Sequence, residues 1–111
     1  MDFNEYEEKA SVTAIFRDPS LQYKLMYLGL GVAGEAGEIA EKIKKIMRND
    51  NGIVSDEKRE SIKSEVGDVL WYLSQLSREL GFTIEDAAQA NMRKITDRKS
   101  RDVIRSEGDN R

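Results

Sequence analysis

The chain of 111 residues is 39% hydrophobic and 35% charged, which is typical of one small helical domain. It contains no cysteine and no histidine, so disulfides, thiolate nucleophiles, Ser-His-Asp triads and metal sites with Cys or His ligands are excluded. Any catalysis must therefore depend on carboxylates, amines, hydroxyls or bound hard cations.

The formal net charge of −3 is unevenly distributed along the chain. Residues 1–90 carry 11 Lys+Arg against 17 Asp+Glu, whereas residues 91–111 carry 7 against 4. An acidic body argues against a nucleic-acid polymer as partner. The longest stretch without a charge, Leu25 to Gly34, is about half the ~20 residues of a membrane span, and the acidic N-terminus lacks the pattern of a signal peptide. We therefore expect a cytoplasmic protein without a membrane partner.

Two helices are predicted in the first half of the chain. Apolar spacing predicts a helix from Phe3 to about Phe16, followed by a turn at residues 18–20. A long second helix is predicted from about Leu21 to Met47, because apolar residues recur there at steps of three or four. The turn formers at residues 49–52 end it.

Two further helices follow. Ser55 or Asp56 can cap a third, long helix, and Gly81 supplies a left-handed stop after it. Thr83 and Asp86 have the spacing of a capping box that starts a fourth helix, through about Lys99. No segment alternates like a strand, so the fold class is all-α: a four-helix bundle-like domain over residues 1–100 with two long antiparallel helices. We expect oligomerisation to complete the core, and residues 101–111 to form a basic tail that is flexible or ordered by a partner.

The residues that can carry chemistry are two matching pairs of acids. Glu35-Ala36-Gly37-Glu38 on the second helix and Glu65-Val66-Gly67-Asp68 on the third place two carboxylates one turn apart, beside the apolar stripe. If the two helices pack antiparallel, four carboxylates converge. Either some are protonated or a cation compensates them, and an all-oxygen ligand set favours Mg²⁺, with Mn²⁺ as a substitute.

Other residues near these pairs have two interpretations each. Gly31, Gly34, Gly37 and Gly67 each cost about 1 kcal/mol inside a helix, which either close helix packing or room for phosphates and metal would explain. The remaining acids of the long helices, with basic neighbours such as Lys42, are assigned to solubility and surface pairing. Tyr72 lies one turn after Asp68 and can pack on a base or sugar, while Trp71 is assigned to the core or an interface. Four aromatic residues can stack on a base: Phe16, Tyr23, Tyr27 and Tyr72.

Three segments in order resemble the MazG-type all-α nucleoside triphosphate pyrophosphohydrolases: residues 28–38, residues 68–73, and Asn91-x-x-Lys94-x-x-x-Arg98. The resemblance implies hydrolysis of a nucleoside triphosphate to a monophosphate and pyrophosphate, and dimers or dimers of dimers. Magnesium held by Glu35, Glu38, Glu65 and Asp68 fits this chemistry, with Glu38 as the candidate to orient the attacking water. Asn91, Lys94 and Arg98 share one face and suit phosphate oxygens, although a basic helix C-terminus is the alternative.

Two rival functions stay open at this level. The first is a non-catalytic helical oligomerisation or adaptor module, in which the acids bind a structural cation or a basic partner. The second keeps the enzyme class but changes the substrate to a modified or deoxy nucleotide, a nucleotide sugar or phosphoribosyl-ATP. Only turnover measurements distinguish them.

Overall fold

The computed structural model of the protein describes residues 1–101 and contains, within them, four helices and no strand. These are α1 (Phe3–Ser11), α2 (Leu21–Asn49), α3 (Asp56–Glu79) and α4 (Ile84–Ser100). The predicted all-α class is confirmed. Apart from Arg101, the predicted tail at residues 101–111 lies outside the described residues.

Each helix begins at a residue whose side-chain oxygen accepts a backbone N–H of the first turn, which satisfies a donor that has no partner inside the helix. The four N-caps are Asp2, Ser20, Ser55 and Thr83. At α4 the predicted capping box is present, since Asp86 N donates to Thr83 Oγ1 and Thr83 N donates to Asp86 Oδ2, both at 3.0 Å. Gly81 follows α3 at φ +84°, as a left-handed stop requires.

The first helix is shorter than predicted, because it ends at Ser11 instead of about Phe16. Thr13 is the physical reason. Its hydroxyl donates to Ala10 O at 2.6 Å and its N–H donates to the same carbonyl at 2.9 Å. A continued α-helix would need that oxygen as the acceptor for the backbone N–H of residue 14, and Thr13 already occupies it. Residues 12–20 therefore form a non-helical connection to the start of α2.

Helices α2 and α3 pack antiparallel along a seam, the line of contact between them. Gly31 lies against Tyr72, and Lys24, seven residues earlier in α2, pairs at 3.5 Å with Glu79, seven residues later in α3. Within each helix, one series of shielded positions recurs at alternating steps of three and four, the spacing by which two helices interdigitate. On α2 this series is Leu25, Leu28, Val32, Glu35, Ile39, Lys42 and Ile46, and on α3 it is Lys58, Ile62, Glu65, Val69, Tyr72, Leu76 and Glu79. Charged side chains thus occupy seam positions in the middle of the pair.

The two short helices lie on α3. Helix α1 contacts α3 and α4, and the buried Glu7 accepts a hydrogen bond from Ile84 N at 2.7 Å, which joins α1 to the start of α4. Within residues 1–101, α3 is the one helix that packs on α2. None of the described helices is long and apolar enough to cross a membrane.

Candidate metal centre

Three carboxylates converge at the seam. Glu35 from α2 and the pair Glu65 and Asp68 from α3 each offer an oxygen, and these oxygens lie within 4.8 Å of one another. Glu65 and Asp68 are three residues apart on one helix and share a face. The antiparallel pairing supplies Glu35 from the opposite side, so the cluster exists because the two helices meet in this register.

The pKa values of the two seam acids, Glu35 and Glu65, are shifted in opposite directions. A hydrogen bond to Glu65 raises the pKa of Glu35, and burial and the negative charges of Asp68, Glu65 and Glu38 act in the same direction. The hydrogen bond from Lys42 is the main cause that lowers the pKa of Glu65 below its usual value. Without a metal, the pair therefore has Glu35 as the acid that gains a proton first and Glu65 as the carboxylate.

Lys42 supplies the positive charge at this cluster. Its Nζ lies 3.0 Å from Glu65 Oε1 and donates to Ser61 Oγ at 2.6 Å and to Ser61 O at 3.5 Å. The sequence interpretation of Lys42 as a surface-pairing residue missed this contact. The available signal was its position one heptad after Glu35, which places both side chains on the same face of α2.

Not every predicted site residue joins the cluster. Glu38 is exposed and lies outside the group of three oxygens, although its charge acts on Glu35. On α4, Asn91 and Lys94 are exposed and Arg98 is buried. Their predicted roles toward phosphate stay predictions.

An aromatic cleft adjoins the carboxylates. A cavity of about 390 Å³ is lined by Thr13, Glu35, Asp68, Trp71 and Tyr72. Trp71 Nε1 donates to Thr13 Oγ1 at 2.8 Å, so the segment after α1 forms one wall. Trp71 therefore lines the cleft, and its assignment to the core or an interface did not include this contact. Thr13 is a lining residue that the sequence interpretation missed.

Tyrosines continue from this cleft along α2. Tyr72 and Tyr27 lie 6.2 Å apart between ring centroids, Tyr27 stacks with Tyr23, and Phe16 meets Tyr27 edge-on. Burial raises the pKa of Tyr72, and Tyr27, Glu35 and Asp68 add to this. The pKa of Tyr6 on α1 is raised by burial and by the charge of Asp68. All four aromatic residues proposed for base stacking thus belong to one group.

The glycines divide between the two explanations offered for them. A Cβ on Gly31 would collide with the ring of Tyr72, so this glycine permits close helix contact. A Cβ on Gly34, Gly37 or Gly67 would meet nothing within 4 Å in the described chain, so close packing of α2 on α3 does not explain those three.

The residues present fit a hard divalent cation. Carboxylate oxygens are the ligands Mg²⁺ prefers, and oxygens bound to one such ion lie about 3 to 4 Å apart. The 4.8 Å limit of this group is within a small side-chain adjustment of that spacing. When all three acids are ionised, the single positive charge of Lys42 does not balance them. A bound cation would neutralise the remaining negative charge.

Comparison with known proteins adds three findings. The family model described as the MazG nucleotide pyrophosphohydrolase domain matches residues 25–102. The "Gene 37 protein" of Mycobacterium phage L5 is 41% identical over 114 residues and is covered completely, as is this chain. No solved structure gives a significant match.

Proposed function

The chain belongs to the MazG nucleotide pyrophosphohydrolase domain family, and we propose that it hydrolyses a ribo- or deoxynucleoside triphosphate to the monophosphate and pyrophosphate. The observation that carries the proposal is the meeting of Glu35, Glu65 and Asp68 beside an aromatic cleft. Carboxylates can hold the cation that a triphosphate requires, and aromatic rings can hold a base. The matched residues include both acidic pairs and the segment from Asn91 to Arg98.

Glu35, Glu65 and Asp68 would hold Mg²⁺ or Mn²⁺, with Glu38 as a further ligand at the exposed edge. When bound, the cation supplies charge neutralisation of the phosphates and a lowered pKa of coordinated water. Glu38 is free of the three-oxygen group, and an exposed carboxylate one turn from Glu35 can accept a proton from water. We therefore keep Glu38 as the candidate that orients the attacking water.

In the proposed reaction the water oxygen forms a bond to the α-phosphorus. The bond from that phosphorus to the α–β bridging oxygen breaks, pyrophosphate leaves with the electron pair, and the water proton passes to a carboxylate. Tyr72 would contact the base or sugar, with Tyr27 and Trp71 beside it. Asn91, Lys94 and Arg98 are proposed to contact phosphate oxygens.

We propose that the protein acts as a dimer or a dimer of dimers. In the described chain the buried apolar side chains are Ala10, Leu28 and Ile46, a small core for two long helices. Away from α3, α2 exposes Leu30 at 70%, and α3 exposes Val66 and Leu73. A second copy would cover such surface, and light scattering at the mass of one chain would contradict this.

The test is turnover of a panel of nucleoside triphosphates with Mg²⁺, with pyrophosphate and orthophosphate measured separately. Glu38→Gln and Asp68→Asn should each lose activity, while Glu60→Gln, at an exposed acid of α3 paired with Lys63 at 3.3 Å, should retain it. Pyrophosphate that disappears in both site variants supports the proposal. Cation binding without turnover of any nucleotide would contradict it and support the adaptor alternative.

A further inference from the structure

Lys42 is the residue beside the carboxylate cluster that the proposed chemistry does not use. It lies within the seam, and the three hydrogens of its ammonium group match three acceptors: Glu65 Oε1, Ser61 Oγ and Ser61 O. The two Ser61 contacts anchor the ammonium to α3 independently of Glu65. The exposed fraction of the side chain is 28% for Lys42 and 16% for Glu65, so solvent screens this pair less than the exposed pairs that Lys44 and Lys45 form with Glu41.

We propose that Lys42 is the resident counter-cation of the cluster, which holds Glu65 in place without a metal and opposes a divalent cation at the same carboxylates. This inference rests on the proposed metal site and names the residue that sets its affinity. Lys42 is a positioning residue, since it touches Glu65 and acts through it.

Both charge and geometry make Lys42 a competitor of a divalent cation at this cluster. Three acids this close repel one another, and the charge that offsets the repulsion comes from α2, on the side chain one heptad after Glu35. A divalent cation would serve the same oxygens. Two cations that stabilise the same carboxylates also repel each other, so each weakens the effect of the other, and this antagonism is reciprocal.

The matched control is Lys45, also on α2. It pairs with Glu41 at 3.4 Å on an exposed surface, so Lys45→Gln removes the same unit of charge from the same helix without touching the cluster. Lys42→Gln keeps a hydrogen-bonding group beside Ser61 and removes the charge. Lys42→Met removes both, which gives a second variant if one of them folds poorly.

The experiment measures Mn²⁺ binding by calorimetry and thermal unfolding by circular dichroism, in chelator and in saturating Mg²⁺. We expect Lys42→Gln to bind Mn²⁺ about 3- to 10-fold more tightly than wild type, and Lys45→Gln to stay within about twofold. We also expect Lys42→Gln to lower the melting temperature in chelator and Mg²⁺ to restore most of that loss.

Three results would overturn the inference. Equal or weaker Mn²⁺ binding by Lys42→Gln contradicts the antagonism, and an equal loss of melting temperature with and without Mg²⁺ makes Lys42 a purely structural contact. A similar change in Lys45→Gln would assign the effect to overall charge. Absence of Mn²⁺ binding in wild type contradicts the proposed metal site itself, and so separates the two failures.

Discussion

Gly31 offers a direct test of the packing that places Tyr72 at the cleft. The β-carbon of an alanine there would meet Cε1 and Cδ1 of the Tyr72 ring and lie 2.6 Å from Cζ, so the ring or the helix has to move. The same substitution at Gly29 or Gly34 meets nothing within 4 Å. One helix thus provides the perturbation and two controls.

The expected magnitude follows from two opposing effects. Alanine is favoured over glycine inside a helix by about 1 kcal/mol, so Gly29→Ala and Gly34→Ala should raise the free energy of unfolding. Gly31→Ala gains the same amount but forces a ring out of a close contact, which costs about 1 to 3 kcal/mol. Its free energy of unfolding should therefore fall about 1 to 3 kcal/mol below the controls, or about 4 to 12 °C in melting temperature.

The assay is urea and thermal unfolding at one fixed protein concentration, because association would make stability concentration-dependent. Combining Gly31→Ala with Tyr72→Ala removes the colliding ring, and in that background the glycine substitution should stabilise as the controls do. The close contact is refuted if the Gly31→Ala variant is as stable as the Gly29→Ala variant, or if Tyr72→Ala does not rescue the stability of Gly31→Ala.

Three further predictions concern the site and the surface. Mn²⁺ affinity should fall as the pH falls through the raised pKa of Glu35, since the cation displaces its proton, and Glu35→Gln should flatten this dependence in calorimetry. Thr13→Val should shift the emission of Trp71, the single tryptophan, and weaken nucleotide binding several-fold, whereas Thr13→Ser should not. Leu73→Glu combined with Leu30→Glu should reduce the mass found by light scattering to that of one chain, and an unchanged mass would contradict the assigned surface.

The sequence predicted most of the fold because the relevant signals are local. Apolar spacing, the caps at Ser55 and Thr83 and the stop at Gly81 act within one or two turns, and each is present as expected. The error at α1 has the same origin. Thr13 fits a helical stripe by spacing, but its hydroxyl competes for the carbonyl of Ala10, and spacing does not reveal which contact prevails.

The site was predictable in composition but not in register. The repeated acidic pairs predicted that four carboxylates meet, and Glu35, Glu65 and Asp68 do so while Glu38 does not. The distances depend on how α2 and α3 are offset along the seam, which no local signal encodes. That offset places Lys42 against Ser61 and Glu65 and leaves Glu38 at the exposed edge. Thr13 and Trp71 were missed because their contact joins residues 58 positions apart.

The seam explains why a weakly apolar pair of helices can hold together around charges. Leu28 and Ile46 are buried at either side of the acidic segment, so apolar packing fixes the helices on both sides of it. Between them, Glu35 and Glu65 take positions where a leucine would stabilise the pair further. Replacing both acids by leucine and Lys42 by methionine should therefore raise the melting temperature while abolishing Mn²⁺ binding, the pattern expected when stability is given up for a charged site. A lower melting temperature for that triple variant would show instead that the hydrogen-bonded acids and Lys42 stabilise the seam themselves.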